Sequence, residues 1–235
     1  MDEAAPSTPT VVVVAGGEAI DHAVLDRLRT IEPGATTVAA DSGVDLALAL
    51  GRRVDVAVGD FDSVTAAGLA RITGDGAEIV RHPAAKDATD LELAVDVARG
   101  MGAGRLVVLG GHGGRLDHLL ANVAVLTGPR TDTMAVEAHL GPALVTVVRA
   151  AVDGSGGATE ITGSIGELAT LLPQHGPARG VTTSGLAYPL HDEDLAAGTS
   201  RGVSNLLSAA VATVLVRDGV VAVIQPDHHR PPEHP

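Results

Sequence analysis

The chain contains no cysteine and no tryptophan, and apart from histidine its only aromatic residues are Phe61 and Tyr188. Without thiols there are no disulfides, no thiolate zinc sites and no cysteine nucleophile. The core must be packed by Ala, Val, Leu and Ile, and a ligand that stacks on a ring has to use Phe61, Tyr188 or a histidine. Long apolar runs are missing too: stretches such as Val211–Val216 fall far short of a bilayer span, so no membrane association is expected. Positive charge is scarce, with 16 basic against 29 acidic residues and a net charge of −13. That field repels a nucleic-acid backbone and anionic lipid, and accommodates metal ions and cationic ligands. Met1–Pro9 is acidic and proline-containing, unlike a signal peptide. A cytoplasmic protein is expected, with no nucleic-acid or membrane partner.

What is present is an alternation. Thr10–Ala15 is an apolar, strand-like run ending at Gly16-Gly17. Ile20, Val24, Leu28 and Ile31 follow at helical spacing. Thr36–Ala40, Val54–Val58, Glu78–Val80 and Leu106–Leu109 read as further strands. Val44–Leu50, Leu91–Arg99 and Leu116–Leu126 read as helices. Repeated βα units imply a mostly parallel sheet with helices on both faces, and ligands in such sheets sit beyond the carboxyl ends of the strands. After about Leu140 the pattern changes to short strands punctuated by glycine. There Ala210–Val216 and Val220–Ile224, joined at Asp218-Gly219, predict a hairpin. The expected organisation is an α/β domain over residues 10–140 and a smaller all-β sandwich over 141–226. Residues 1–9 and 227–235 read as flexible tails, so His228, His229 and His234 are expected in solvent.

Acids close several strands. Asp41 follows one and Asp60-Phe61-Asp62 the next; on an extended segment the last two carboxylates point to one side. Like charges so placed call for a cation, and hard oxygen ligands favour magnesium. The other reading of the pair is an Asx-type turn capping a helix. Lys86-Asp87-Ala88-Thr89-Asp90-Leu91-Glu92 opens a helix, with Thr89 and Glu92 as a capping box. Lys86 at that helix start suits phosphate, and Asp87 and Asp90 suit phosphate with metal. Gly110-Gly111-His112-Gly113-Gly114-Arg115 follows a strand; its glycines let backbone approach a polyphosphate and Arg115 can grip phosphate oxygens. Asp117, His118 and Asn122 follow on the next helix, with Leu116, Leu119, Leu120 and Val123 expected in the core. His118 reads equally as a buried structural histidine. In the second half, Tyr188 and the polar loop Gly198–Asn205 read on their own as ordinary packing and an ordinary turn.

In order along the chain, Ala40-Asp41-Ser42-Gly43, Val58-Gly59-Asp60-Phe61-Asp62-Ser63, Lys86–Glu92 and Gly114-Arg115-Leu116-Asp117-His118 running to Asn122 resemble the motifs of the thiamine pyrophosphokinase family. Gly180–Leu186 with Gly202-Val203-Ser204-Asn205 resembles its thiamine-binding module. The resemblance runs from Val11 to about Gln225. It implies a Rossmann-like α/β catalytic domain followed by a β-sandwich, and a homodimer with sites at the subunit interface. It also implies ATP as co-substrate, magnesium, and thiamine, with thiamine diphosphate and AMP as products.

Carried over motif by motif, Asp41, Asp60, Asp62, Asp87 and Asp90 match the metal-holding acids. Gly16, Gly17, Asp41, Ser42, Gly43, Lys86, Gly114, Arg115 and His118 fall where the nucleotide is expected. Asp117, Asn122, Tyr188, Ser204 and Asn205 fall where thiamine is expected, and Asp62, Lys86, Asp90, Arg115 and Asp117 are the residues expected to act in the transfer. Two positions depart from the family's pattern: Ser42 stands where a second glycine is frequent, and Tyr188 where tryptophan is common. The alternatives are a pyrophosphokinase acting on a pterin alcohol, a metal-dependent phosphohydrolase, or a binding protein without turnover.

Overall fold

The computed structural model describes residues 8–85, 87–151 and 153–230. Its first half is six parallel strands: β1 (Thr10–Ala15), β2 (Thr36–Ala40), β3 (Val56–Gly59), β4 (Glu78–Arg81), β5 (Arg105–Gly110) and β6 (Ala135–Leu140). Their order across the sheet is β4-β3-β2-β1-β5-β6. The chain therefore steps outward from β1 to β4, then returns to the other side of β1 at β5. The carboxyl ends of β1 and β5 flank the switch point where such a sheet opens a crevice.

Alternation along the strands covers both faces. Val12 and Val14 of β1, with Val107 and Leu109 of β5, pack with Val24 and Leu28 of α1 (His22–Arg29), Val44 and Ala47 of α2 (Gly43–Ala49) and Ile72 of α3 (Ala66–Gly74). Val11, Val13, Leu106 and Val108 face the opposite way, against Leu91, Ala94, Val95 and Ala98 of α4 (Asp90–Gly100) and Leu126 of α5 (Leu116–Thr127). Strands buried on both faces read as continuous aliphatic runs, which is how β1 and β5 appear in the sequence. Helix α3 and strand β6 were not singled out by periodicity.

The sheet does not stop at residue 140. Strand β7 (Ala143–Arg149) pairs antiparallel with β6, and β13 (Asp218–Gln225) with β7. Strand β9 (Leu168–Ser184) first pairs with β13, then crosses to pair with β12 (Val211–Val216), which pairs with β8 (Gly157–Thr162). Short strands β10 (Glu193–Leu195) and β11 (Asn205–Leu206) also pair with β9. Val221 and Val223 of β13 enter the core of this β-rich half, while Ala222 and Ile224 reach the α/β core. One strand thus welds the two halves.

Four expectations change. The hairpin at Asp218-Gly219 does not form: β9 lies between β12 and β13, and Asp218-Gly219 instead opens β13 with a register shift before Val220. A strand of seventeen residues offers an edge to both neighbours, and this overrides the local turn signal. Leu116 and Leu120 are 67% and 61% exposed; the buried stripe of α5 runs through Leu119, Val123 and Leu126, and Leu120 is turned about 100° from Leu119. Glu92 does not complete the capping box: Thr89 Oγ1 accepts from the Glu92 amide at 3.2 Å, but the Glu92 carboxylate pairs with Arg130 at 2.7 Å. Finally, His228 and His229 are not solvated. His229 is 5% exposed, its Nε2 lies 2.7 Å from His139 Nδ1, and its amide donates to the Pro142 carbonyl.

Candidate active site

Because β2 and β3 are parallel neighbours, their following residues emerge at the same sheet edge. Asp41 is only 9% exposed and turns the chain out of β2 at φ 44°, a conformation aspartate tolerates. Its amide donates to the Val58 carbonyl of β3 at 2.9 Å. Its Oδ1 is buried without a hydrogen-bond partner among the described residues. After β3, the Asp62 amide donates to Asp60 Oδ1 at 3.1 Å, and Ser63 Oγ donates to Asp62 Oδ1 at 2.7 Å. Phe61 between them has φ 64°, so the segment is an Asx-type turn and not the extended run expected. The turn and the cluster are one feature: Asp41, Asp60 and Asp62 each place an oxygen within 4.8 Å of the others.

Asp90, the first residue of α4, stands beside them. A Cβ built on Gly59 would lie 3.1 Å from both Asp41 Cβ and Asp90 Oδ1, so glycine keeps this approach open. Burial raises the Asp41 carboxyl above the usual range, and the charges of Asp90, Asp60 and Asp62 raise it further. A buried carboxylate oxygen without a partner, beside two more carboxylates, fits a hard divalent cation such as magnesium. Asp87 is exposed and is not one of this group, and Lys86 lies outside the described residues.

The glycine segments of β1 and β5 meet across the switch point. Gly16 packs under the Ser42 hydroxyl, Gly17 against the His112 carbonyl, and Gly43 against the Val14 carbonyl, each too closely for a side chain. The Gly111 amide donates to the Ala15 and Gly16 carbonyls, and its carbonyl accepts from Asn122 Nδ2 at 3.0 Å. Asn122 is therefore buried and engaged with the turn. Arg115 occupies the N-cap position of α5 and forks onto Asp117, with contacts of 2.6 and 3.1 Å. The pairing holds the Asp117 carboxyl below its usual range. His118 is exposed, so it is not a buried structural histidine.

In the β-rich half Tyr188 is 69% exposed and belongs to no core. Its segment is held by Asn205, whose Oδ1 accepts from the Tyr188 amide at 3.0 Å and whose Nδ2 donates to the Tyr188 carbonyl at 2.8 Å. Ser204, at φ 60°, is exposed, and its amide donates to Thr170 Oγ1 at 3.0 Å. A hollow of about 680 Å³ lined by Arg52, Arg53 and Arg71 lies at the opening of β3, at the other end of that strand from Asp60. Its arginines are already engaged: Arg52 with the Ile31 and Glu32 carbonyls, Arg71 with Asp75.

Sequence reasoning missed two parts of this arrangement. The role of Gly59, which enters the sequence reading only as part of a motif, is one, and its place immediately before Asp60 was the available signal. The other is Glu18, which accepts from the Gly114 amide and which no motif marks.

Fold and site together define an α/β protein that presents a carboxylate cluster and a glycine turn at one sheet edge, fused to a β-rich module. Two family models match the chain: the thiamin pyrophosphokinase catalytic domain over residues 29–138 and the thiamin pyrophosphokinase vitamin B1 binding domain over residues 163–221. A thiamine pyrophosphokinase of Bacillus subtilis is 32% identical over 117 residues, 50% of this chain and 54% of that protein, so the alignment spans about half the relative's length. Among solved structures, a thiamin pyrophosphokinase family protein from Enterococcus faecalis superposes with a TM-score of 0.72 at 26% identity, covering 93% of this chain and 98% of that one. The Bacillus subtilis structure superposes with a TM-score of 0.76 at 24% identity, covering 92% and 98%, and shares the fold. The chain belongs to the thiamin pyrophosphokinase family.

Proposed function

We propose that this chain is a thiamine pyrophosphokinase that takes ATP as co-substrate and uses magnesium. The observation that carries the reading is the convergence of Asp41, Asp60 and Asp62, with Asp90 beside them and one buried oxygen unpartnered. Bound magnesium would neutralise polyphosphate charge against these acids. The hydroxyl oxygen of thiamine attacks the β-phosphorus, the bond from that phosphorus to the bridging oxygen of AMP breaks, and the hydroxyl proton passes to Asp62 or Asp90. Lys86 and Arg115 offset charge on the transferred and leaving oxygens. For Arg115 this requires leaving Asp117, a surface pairing of low cost.

The remaining assignments belong to the same proposal. Gly16, Gly17, Ser42, Gly43, Gly114 and His118 border the nucleotide, and Asp87 joins the metal-holding acids from outside the observed group. Thiamine rests against Tyr188, with Ser204, Asn205, Asp117 and Asn122 around it, and its positive charge suits an acidic site. The division at residues 140 and 141 separates a catalytic from a thiamine-binding part. Six strand steps separate β9 from β2, roughly 30 Å at ordinary spacing, which supports a homodimer in which one copy's β-rich part faces the other's acids. Exposed Leu116 and Leu120, neighbours on α5, support such a contact. No helix among the described residues is long and apolar enough to cross a membrane, and a cytoplasmic enzyme is proposed.

The test is to mix ATP, magnesium, thiamine and the protein and to follow AMP. AMP formed in equal amount to thiamine diphosphate is the expected result. Phosphate released without any acceptor, or no AMP, overturns the reading.

A further inference from the structure

The glycine-rich turn after β5 is held at two points. At Gly111 the anchors are the Ala15 and Gly16 carbonyls and the Asn122 amide. Farther on, Glu18 is the one side chain that holds the turn among the described residues: its own amide donates to the His112 carbonyl at 3.0 Å, and its Oε1 accepts from the Gly114 amide at 2.8 Å. The carboxylate lies flat on the turn, because a Cβ at Gly113 would stand 2.6 Å from its Cγ, Cδ and Oε2. Gly113 and Gly114 both have positive φ, at 73° and 60°, and Arg115 follows directly. A stretch with two such glycines has many backbone states to lose, so a clip on its last amide decides where the next residue points.

We propose that Glu18 is a positioning residue for the nucleotide: by clipping the Gly114 amide it sets the end of the glycine turn and aims Arg115 at the polyphosphate of ATP. The inference rests on the pyrophosphokinase reading and deepens it. It predicts selectivity, since Glu18 belongs to the β1–α1 connection beside the nucleotide turn and not to the β-rich part around Tyr188. Chemistry separates the clip from a charge effect. Glutamine keeps an acceptor oxygen at the same reach and loses the charge, whereas alanine loses both.

The experiment compares wild type, Glu18→Ala and Glu18→Gln in steady-state AMP formation, with magnesium-ATP binding measured by calorimetry on the same samples. Glu18→Ala is expected to raise the KM and the dissociation constant for magnesium-ATP about tenfold, the loss of one hydrogen bond to a charged acceptor. The thiamine KM should stay within about twofold, and Glu18→Gln should recover most of the loss. Glu18 is exposed and the Gly111 anchors remain, so the thermal midpoint should barely move. Tighter ATP binding in both variants would mean that the carboxylate repels phosphate, and would overturn the proposal. So would equal weakening for ATP and thiamine, or an alanine variant that behaves as wild type. A wild type that binds magnesium-ATP yet makes no AMP sinks the pyrophosphokinase reading and leaves Glu18 to be judged on the binding ratio. Failure of the wild type to bind magnesium-ATP sinks both.

Discussion

The acids at the ends of β2 and β3 and the ring of Tyr188 are held in opposite ways. Asp41 is buried against strands whose Val38, Ala39 and Val58 side chains are fully enclosed, and its position is set by the register of the sheet. Tyr188 projects into solvent, its own amide and carbonyl bound by the Asn205 side chain while the neighbouring Ala187 amide donates to the Leu206 carbonyl and the Leu190 amide to Thr183 Oγ1. Gathering carboxylates disfavours folding, so that cost is imposed where the core is rigid enough to bear it. The ring recognition proposed for Tyr188 needs surface and little force, and its exposed side chain sits on a short connection. Changes at the first place should therefore affect chemistry with little effect on the fold, and changes at the second should affect affinity alone.

The largest expected effect is at Asp62. Asp62→Asn keeps the shape of the side chain and removes one carboxylate from the acidic cluster proposed to hold magnesium. Turnover should fall on the order of a thousandfold, about 4 kcal/mol in the barrier, with magnesium dependence shifted to higher concentration. Because Asp62 is exposed, thermal unfolding should be unchanged within about 2 °C. Wild-type turnover with an intact magnesium requirement would remove Asp62 from the cluster's function and erase the contrast.

Next comes the seam between the two regions. His139 on β6 and His229 beyond β13 touch where the parallel half meets the β-rich half. Burial, followed by the neighbouring His139, His228 and Arg27, pushes His229 from 6.5 down to about 4. The unfolded chain then takes the proton first, so stability is intact above pH 6.5, falls as the pH drops below it, and has lost its full share near pH 4. That share is about 3 kcal/mol at most. Urea melts of wild type and His229→Gln across pH 7.5 to 4 should diverge in this window. Parallel pH profiles would show that the histidine contact carries none of the seam.

How much of this was legible follows from which forces acted locally. Strands β1, β3 and β5 were, because residues buried on two faces leave unbroken aliphatic runs, and the acids after β2 and β3 were, because a parallel sheet brings strand ends together. The manner of their meeting was not. Phe61 adopts a positive φ that no β pattern announces, and the pair Asp60–Asp62 works through a turn. The hairpin failed since β9, distant in sequence, inserts between β12 and β13. His229 was read as tail because burial by a partner ninety positions away leaves no periodic mark. Glu18 was silent for the same reason: its partner is a backbone amide across the sheet's switch point.

The smallest effect should be at Tyr188. A phenol ring offers thiamine a π face smaller than that of an indole, and stacking of this kind contributes about 1–1.5 kcal/mol. Tyr188→Ala should therefore raise the thiamine KM about fivefold to tenfold, with kcat within about twofold and the ATP KM unmoved. Tyr188→Trp should lower the thiamine KM below that of wild type, since the exposed position has room for a larger ring. Stability should not respond to either change, because the side chain packs in no core and Asn205 binds only the backbone of this residue. If alanine left thiamine saturation unchanged, the exposed ring would have no part in recognition. The contrast would then lie between a buried acidic site and a surface loop with no ligand of its own.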